Sequence, residues 1–312
     1  MKKIIAIILA FLLLPILPSC QAPEKSEKIK IVCTLFPQYD WVMNILGEHA
    51  EEMEVTLLAP GTDLHSYEAS AADIVTISES DLFIYIGNES EGWIEDALKI
   101  TGTTERISLA LSETVPLLAL PHEHTEEEHH HAYDEHIWLS IRNAQKAVDH
   151  LLNEIIALDP VHEAEYTANA KAYQEKLQQM DQAYTEAIGQ AKNPTIVIAD
   201  RYPFRYLAED YGLTCYAAFD GCSAETEAGA ATILNLAEQI DRNKLQAVII
   251  IDQSKPDLAQ TVIESTREKN QQILRLNSMQ AITAHQIEEG ISYLDIMNEN
   301  LHALKAALEK GE

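Results

Sequence analysis

The stretch that most restricts the fold is residues 163–191, where Tyr166, Ala170, Tyr173, Leu177, Met180 and Tyr184 recur at three- and four-residue spacing without a break. At 1.5 Å per residue this predicts one helix about 40 Å long, enough to span two lobes. The pattern is a single stretch without sustained heptads, so it reads as a strut and not as a coiled coil. Asp159-Pro160 stops the helical pattern that comes before it, and after Asn193-Pro194 a second set of elements begins.

Strands and helices alternate on both sides of the strut. Before it, residues 29–37 (IKIVCTLFP), 53–58 and 81–87 (DLFIYIG) read as strands. Helical spacing covers 39–47, a segment opened by Ser70 and Asp73, 93–98, and 147–158 with Ser140 or Asn143 as cap. After it, strands at 195–199, 214–219, 245–251 (LQAVIII) and 273–276 alternate with helices at 204–211, 227–240, 256–269 and 293–308. The expected fold class is therefore α/β, with two lobes, each a parallel sheet flanked by helices, joined by one long rigid helix. The expected bounds are 29–158 for the first lobe, 159–192 for the linking helix and 193–312 for the second lobe. His65 falls in a loop just past a strand's carboxyl end, where open α/β sheets hold ligands.

Residues 1–20 begin with Lys2 and Lys3, continue through an apolar run at 4–17 and end at Pro18-Ser19-Cys20. The apolar run is too short to span a bilayer comfortably and reads as an export signal. A Cys directly after a small residue there resembles the lipobox of bacterial lipoproteins, which implies acylation at Cys20 and a polar tether at 21–28 (QAPEKSEK spans 21–28). Removing Lys2 and Lys3 takes the formal charge from -28 to -30, which argues against nucleic acid and anionic head groups as partners and for cations. Beyond Cys20 only Cys33, Cys215 and Cys222 remain. At most one disulfide can form, most simply Cys215 with Cys222, and Cys33 reads as a buried thiol in an apolar strand.

Residues 122–136 read HEHTEEEHHHAYDEH, with six imidazoles and six carboxylates among fifteen residues. Imidazole suits zinc, copper, iron and nickel, whereas carboxylate alone suits harder ions, so the mixture points to a borderline transition metal. The tract closes on Asp134-Glu135-His136-Ile137-Trp138-Leu139-Ser140. Neither an internal repeat nor a glycine-rich phosphate loop is found.

Taken together, the lipobox, FPQYDW, PGTDLHSYEAS, the His/acid tract, DEHIWLS, the long helix, YLAEDYGL and YLDIMNENLHAL resemble the metal-binding lipoproteins of zinc and manganese ABC importers, also called cluster A-I solute-binding proteins. The resemblance covers the mature chain in order. It implies a metal ion in the cleft between two lobes, with ligands from four places in the chain. His65 and His136 match two of them. At the third the chain has Arg201, which cannot bind a cation; at the fourth, Asn277, which offers a carbonyl oxygen without charge. Asp200 and Glu225 are the expected replacements, with Glu227 and Cys222 as further candidates.

The resemblance implies an exported, monomeric receptor anchored by lipid at Cys20 to the outer face of the bacterial cytoplasmic membrane, or to its periplasmic side in a Gram-negative cell. It would take a divalent metal ion as cargo, Zn2+ first and Mn2+ or iron as the alternative, and deliver it to an ABC permease with a cytoplasmic ATPase. The tract at 122–135 would collect metal and feed the cleft. A secreted zinc hydrolase is the competing class, against which stands the lack of an HExxH motif or an evident general base. A metal-dependent adhesin is a further alternative.

Overall fold

A computed structural model describes residues 28–87, 91–101, 106–120, 133–219 and 228–309. The signal segment, Cys20, most of the tether, the tract from 121 to 132 and the segment 220–227, with Cys222, Glu225 and Glu227, lie outside the described residues. Two four-stranded parallel sheets form the frame. In the first, β1 (Lys30–Cys33), β2 (Glu54–Leu57), β3 (Leu82–Tyr85) and β4 (Ile107–Ala110) lie in the order β2-β1-β3-β4. In the second, β5 (Thr195–Arg201), β6 (Thr214–Phe219), β7 (Ala247–Ile251) and β8 (Gln272–Leu276) repeat it as β6-β5-β7-β8. Each order reverses beside its first strand, which opens a crevice at the carboxyl ends.

The helices are α1 (Phe36–Leu46), α2 (Ala71–Ser78), α3 (Trp93–Thr101), α4 (Ile141–Leu158), α5 (Glu163–Gly189), α6 (Arg205–Tyr211), α7 (Ala230–Asn243), α8 (Asp257–Glu264), α9 (Ala284–Glu288) and α10 (Tyr293–Leu308). The expected strut is α5, and Tyr166, Ala170, Tyr173, Leu177 and Tyr184 are buried along it while Met180 is half-buried. Of the two expected caps for α4, Ser140 is the one used, its hydroxyl accepting the Asn143 N–H. Two elements escaped the sequence reading: β4, a four-residue strand, and α9, a single turn and a half.

The strut does more than separate two lobes. It packs against α1 and α4 of the first lobe and against α10, which follows the second sheet and also touches α1. One hydrophobic core accordingly runs from Ile31, Trp41 and Leu82 through Tyr173 and Tyr184 to Ile249, Tyr293 and Leu304. Each sheet's outer face has its own small cluster, around Phe83 and Ile94 in one and Val248 and Val262 in the other. Gly47 ends α1 with a positive φ of 57°, and a Cβ there would come 2.5 Å from the Asn169 amide nitrogen of α5. Cys33 is a buried free thiol, as expected. Cys215 is also a free thiol.

Within the shared core, the Tyr173 hydroxyl of α5 donates to Asp40 Oδ2 of α1 at 3.0 Å. Burial pushes the Asp40 carboxyl from 3.8 up to about 6, against the lowering contact with Tyr173. A folded-state value above the unfolded one gives stability that is full below about pH 3.8 and is lost as pH rises through about 6. The chain should thus lose on the order of 2 kcal/mol relative to Asp40→Asn between pH 4 and pH 7, measured by denaturant unfolding of both proteins.

Candidate metal centre

The carboxyl ends of both sheets converge on one pair of imidazoles. His65 sits in the short 3-10 turn Leu64–Ser66 that follows β2, and His136 stands immediately before the 3-10 turn Ile137–Leu139 that leads into α4. Their Nε2 atoms are 3.4 Å apart. His136 is 1% exposed.

Each ring is held by a carboxylate on its other nitrogen. His136 Nδ1 is 2.9 Å from Asp134 Oδ1, which also accepts the His136 backbone N–H at 2.9 Å. His65 Nδ1 is 3.2 Å from Glu135 Oε1. A donated Nδ1–H fixes the tautomer and leaves the Nε2 lone pair facing the partner ring. Burial acts to raise the Asp134 carboxyl, but His136 and the Arg205 guanidinium outweigh it and hold it below the usual range. Among the described residues, His65, Glu135 and His136 each offer a ligand atom within 4.8 Å of the others.

The second lobe contributes Gln280, which follows β8 and is 4% exposed. Its amide nitrogen stands 2.7 Å from His65 Nε2 and 3.1 Å from His136 Nε2. Beside it opens a cavity of about 240 Å³ lined by Asp63, Arg201, Asp252, Gln253, Ser278 and Ala281, among others. Arg201 reaches across the cleft to Asp63 Oδ2 at 3.1 Å, and Asp63 Oδ1 accepts the His65 backbone N–H at 3.0 Å. The cationic side chain at the expected third ligand position is thereby a brace for the loop that carries His65.

Asp200 is not in the imidazole group. Its Oδ1 accepts the Arg201 N–H at 2.9 Å and its Oδ2 the Ile251 N–H at 3.1 Å, which joins the ends of β5 and β7. Asn277 is likewise occupied, its side-chain oxygen accepting the Met279 N–H at 2.8 Å. Glu225 falls outside the described residues. Sequence reasoning missed Gln280, three residues beyond Asn277, because a neutral amide carries no ligand signal of its own. Glu135 could have been found from its place beside His136 in the DEH run.

The profile of the family described as zinc-uptake complex component A, periplasmic (ZnuA), matches residues 31–307. The zinc-binding lipoprotein AdcA of Streptococcus pneumoniae is 33% identical over 320 residues, a match that covers 99% of this chain and 62% of that protein. The high-affinity zinc uptake system protein ZnuA of Bacillus subtilis is 30% identical over 298 residues, covering 92% of this chain and 90% of the relative. In structure, the Zn(II)-bound ZnuA-like domain of Streptococcus pneumoniae AdcA matches with a TM-score of 0.73 and 31% identity over 91% of this chain and 100% of that domain.

The carboxylate clamps predict the Nδ1–H tautomer for both His65 and His136 in the metal-free protein. Long-range nitrogen–proton NMR correlations check this. Asp134→Asn should release the tautomer of His136 alone and weaken binding of a borderline divalent metal by about 10- to 100-fold, read by competition with a chromophoric chelator.

Proposed function

Because this chain belongs to the zinc-uptake complex component A family, we propose that it is the extracytoplasmic receptor of a zinc importer, capturing one Zn2+ ion in the interlobe cleft. The observation that carries this reading is the pair of Nε2 atoms 3.4 Å apart, one on buried His136 and one on half-buried His65, each ring clamped from behind by a carboxylate. The relatives named zinc-binding and zinc-uptake proteins support zinc as the cargo. Imidazole nitrogen favours zinc over manganese, which prefers oxygen-rich sets.

His65 and His136 bind the ion through Nε2. Gln280 turns its amide so that Oε1 faces the metal, since either end of the amide fits the same space. Glu135 supplies the nearby negative charge. Asp200, committed to two backbone N–H groups, acts as a tie between strands, and Glu225 remains a candidate ligand from the segment outside the described residues. The chain performs no chemistry on the ion. It passes the ion to an ABC permease powered by a cytoplasmic ATPase, working as a monomer tethered through a lipid on Cys20.

The chain spans 62% of the length of the Streptococcus pneumoniae relative, so whatever the remainder of that protein adds is not carried over here. No helix among the described residues is long and apolar enough to cross a membrane. The described residues that flank the His/acid tract meet close to His136, where Ala119 and Tyr133 form a bridge and Asp134 N–H bonds to Leu118 O at 2.8 Å. On this reading the tract collects metal and passes it to His136.

Calorimetry tests the assignment. His65→Ala and His136→Ala should each abolish the tight one-to-one zinc site, while Asp200→Asn should lower thermal stability and leave zinc affinity within about threefold. Gln280→Glu should tighten zinc by about 10-fold or more, because it replaces a neutral donor by an anionic one. Unchanged affinity in His65→Ala would sink the cleft assignment.

A further inference from the structure

We infer that His49, Glu52 and His162 form a second binding site for a borderline divalent metal, at the opposite end of the first sheet from the cleft. His49 and Glu52 lie on the 3-10 turn Gly47–Glu52 that precedes the amino end of β2, whereas His65 follows the carboxyl end of the same strand. His162 closes the 3-10 turn Pro160–His162 that opens into α5. One ligand atom from each of the three lies within 4.8 Å of the other two. The two rings face each other with centroids 4.0 Å apart and planes tilted by 33°.

A carboxylate clamps His162 as Asp134 clamps His136. Asp159 Oδ2 accepts from His162 Nδ1 at 2.7 Å and from the Tyr166 hydroxyl at 2.7 Å, which fixes the ring and leaves its Nε2 for a metal. The approach of the two turns is set by packing beneath them. Gly47 lies where a Cβ would strike the Asn169 amide, the same amide donates to Ile45 O at 3.1 Å, and Tyr166 stands edge-on to His49 at 5.7 Å. The ring-to-ring spacing is thus held by packing between two distant parts of the chain.

Two imidazole nitrogens and one carboxylate oxygen are the donor set of an open three-ligand zinc site completed by water. Copper(II) and nickel(II) fit the same donors, and magnesium or calcium do not. The rings are partly accessible, with side-chain exposures of 20% for His49 and 27% for His162, so an ion can enter from solvent. Glu163 and Glu165 in the first turn of α5 offset the positive end of that helix. A metal here staples the first lobe to the foot of the strut and plays no part in the cargo site.

The test uses the full mature chain with the His/acid tract intact. Crystals grown with saturating Zn2+ should give an anomalous difference peak at the zinc edge between His49, Glu52 and His162; a map without that peak overturns the site. In solution, the His65→Ala/His136→Ala chain should still show a zinc-dependent rise in Tm. Adding Glu52→Gln and His162→Gln should remove that rise and lower zinc content by one ion per chain, with the tract cancelling in the comparison. Equal zinc content in the two proteins also overturns it. Should the double substitution disturb the fold by circular dichroism, Glu52→Gln alone, on an exposed carboxylate, should weaken the residual zinc-induced stabilisation at least 10-fold in effective concentration, and no shift there counts against the site.

Discussion

The Asp134 carboxylate is the interaction on which the cleft depends. One oxygen receives both the backbone N–H and the ring Nδ1 of His136, and the other faces the Arg205 guanidinium of α6 at 3.3 Å. The residue's own carbonyl accepts the Tyr206 hydroxyl at 2.7 Å, and Tyr206 in turn accepts the Leu118 N–H at 3.1 Å. The orientation of a first-lobe histidine is therefore fixed by groups from the second lobe. A carboxylate buried to 3% exposure would be costly if unpaired. Here its pairing couples the ligand geometry to the lobe interface.

The same segment carries that coupling onward. Trp138 is fully buried, its indole N–H donates to Ser278 O at 2.8 Å, and its own carbonyl accepts the Tyr293 hydroxyl at 2.8 Å. Ser278 is held by Asp252 at the end of β7, two residues before Gln280. Since one apolar core runs through both lobes and the strut, a wide hinge opening would expose much of it to water. Exchange of an ion at the proposed site would then call for movement of short connecting segments rather than of whole lobes. The 3-10 turn that carries His65 is one of these, tied through Asp63 to Arg201 across the cleft.

Periodicity made the frame legible. The strut, the closing helix at Tyr293–Leu308 and the strand at Thr214–Phe219 follow from apolar spacing and from Pro and Ser punctuation. His65 and His136 are singled out by the family resemblance, which matches them to two ligand positions, and the fold brings their Nε2 atoms to within 3.4 Å of each other. What the sequence could not give were the roles set by chain paths. Asp200 carries the right chemistry for a ligand, yet two backbone N–H groups at the meeting of β5 and β7 claim its oxygens. Gln280 carries weak chemistry, yet the left-handed Met279, with φ of 60°, follows β8 and turns the next side chain toward the imidazoles. Arg201 has a charge that repels a cation, and its position makes sense only once Asp63 is seen opposite.

Charge is the constraint on the proposed site, because among the described residues the pair of imidazoles is backed by carboxylates and not replaced by them. At the proposed site the donors that the described residues bring together are two imidazole nitrogens and the Gln280 amide, so compensation for an ion held there would have to come from beyond the donors themselves. Compensation reaches it through the rings: Asp134 and Glu135 each polarise one imidazole from its far nitrogen, raising the basicity of Nε2 without occupying a coordination position. That arrangement makes capture depend on the imidazoles being unprotonated, because a proton on Nε2 competes for the same lone pair. It also separates affinity from direct contact. In the proposed site, carboxylates one bond network away would set how tightly the ion is held, and the Arg205 and Arg201 guanidiniums, which pair with Asp134 and Asp63, aim those carboxylates and the loops that carry the two imidazoles.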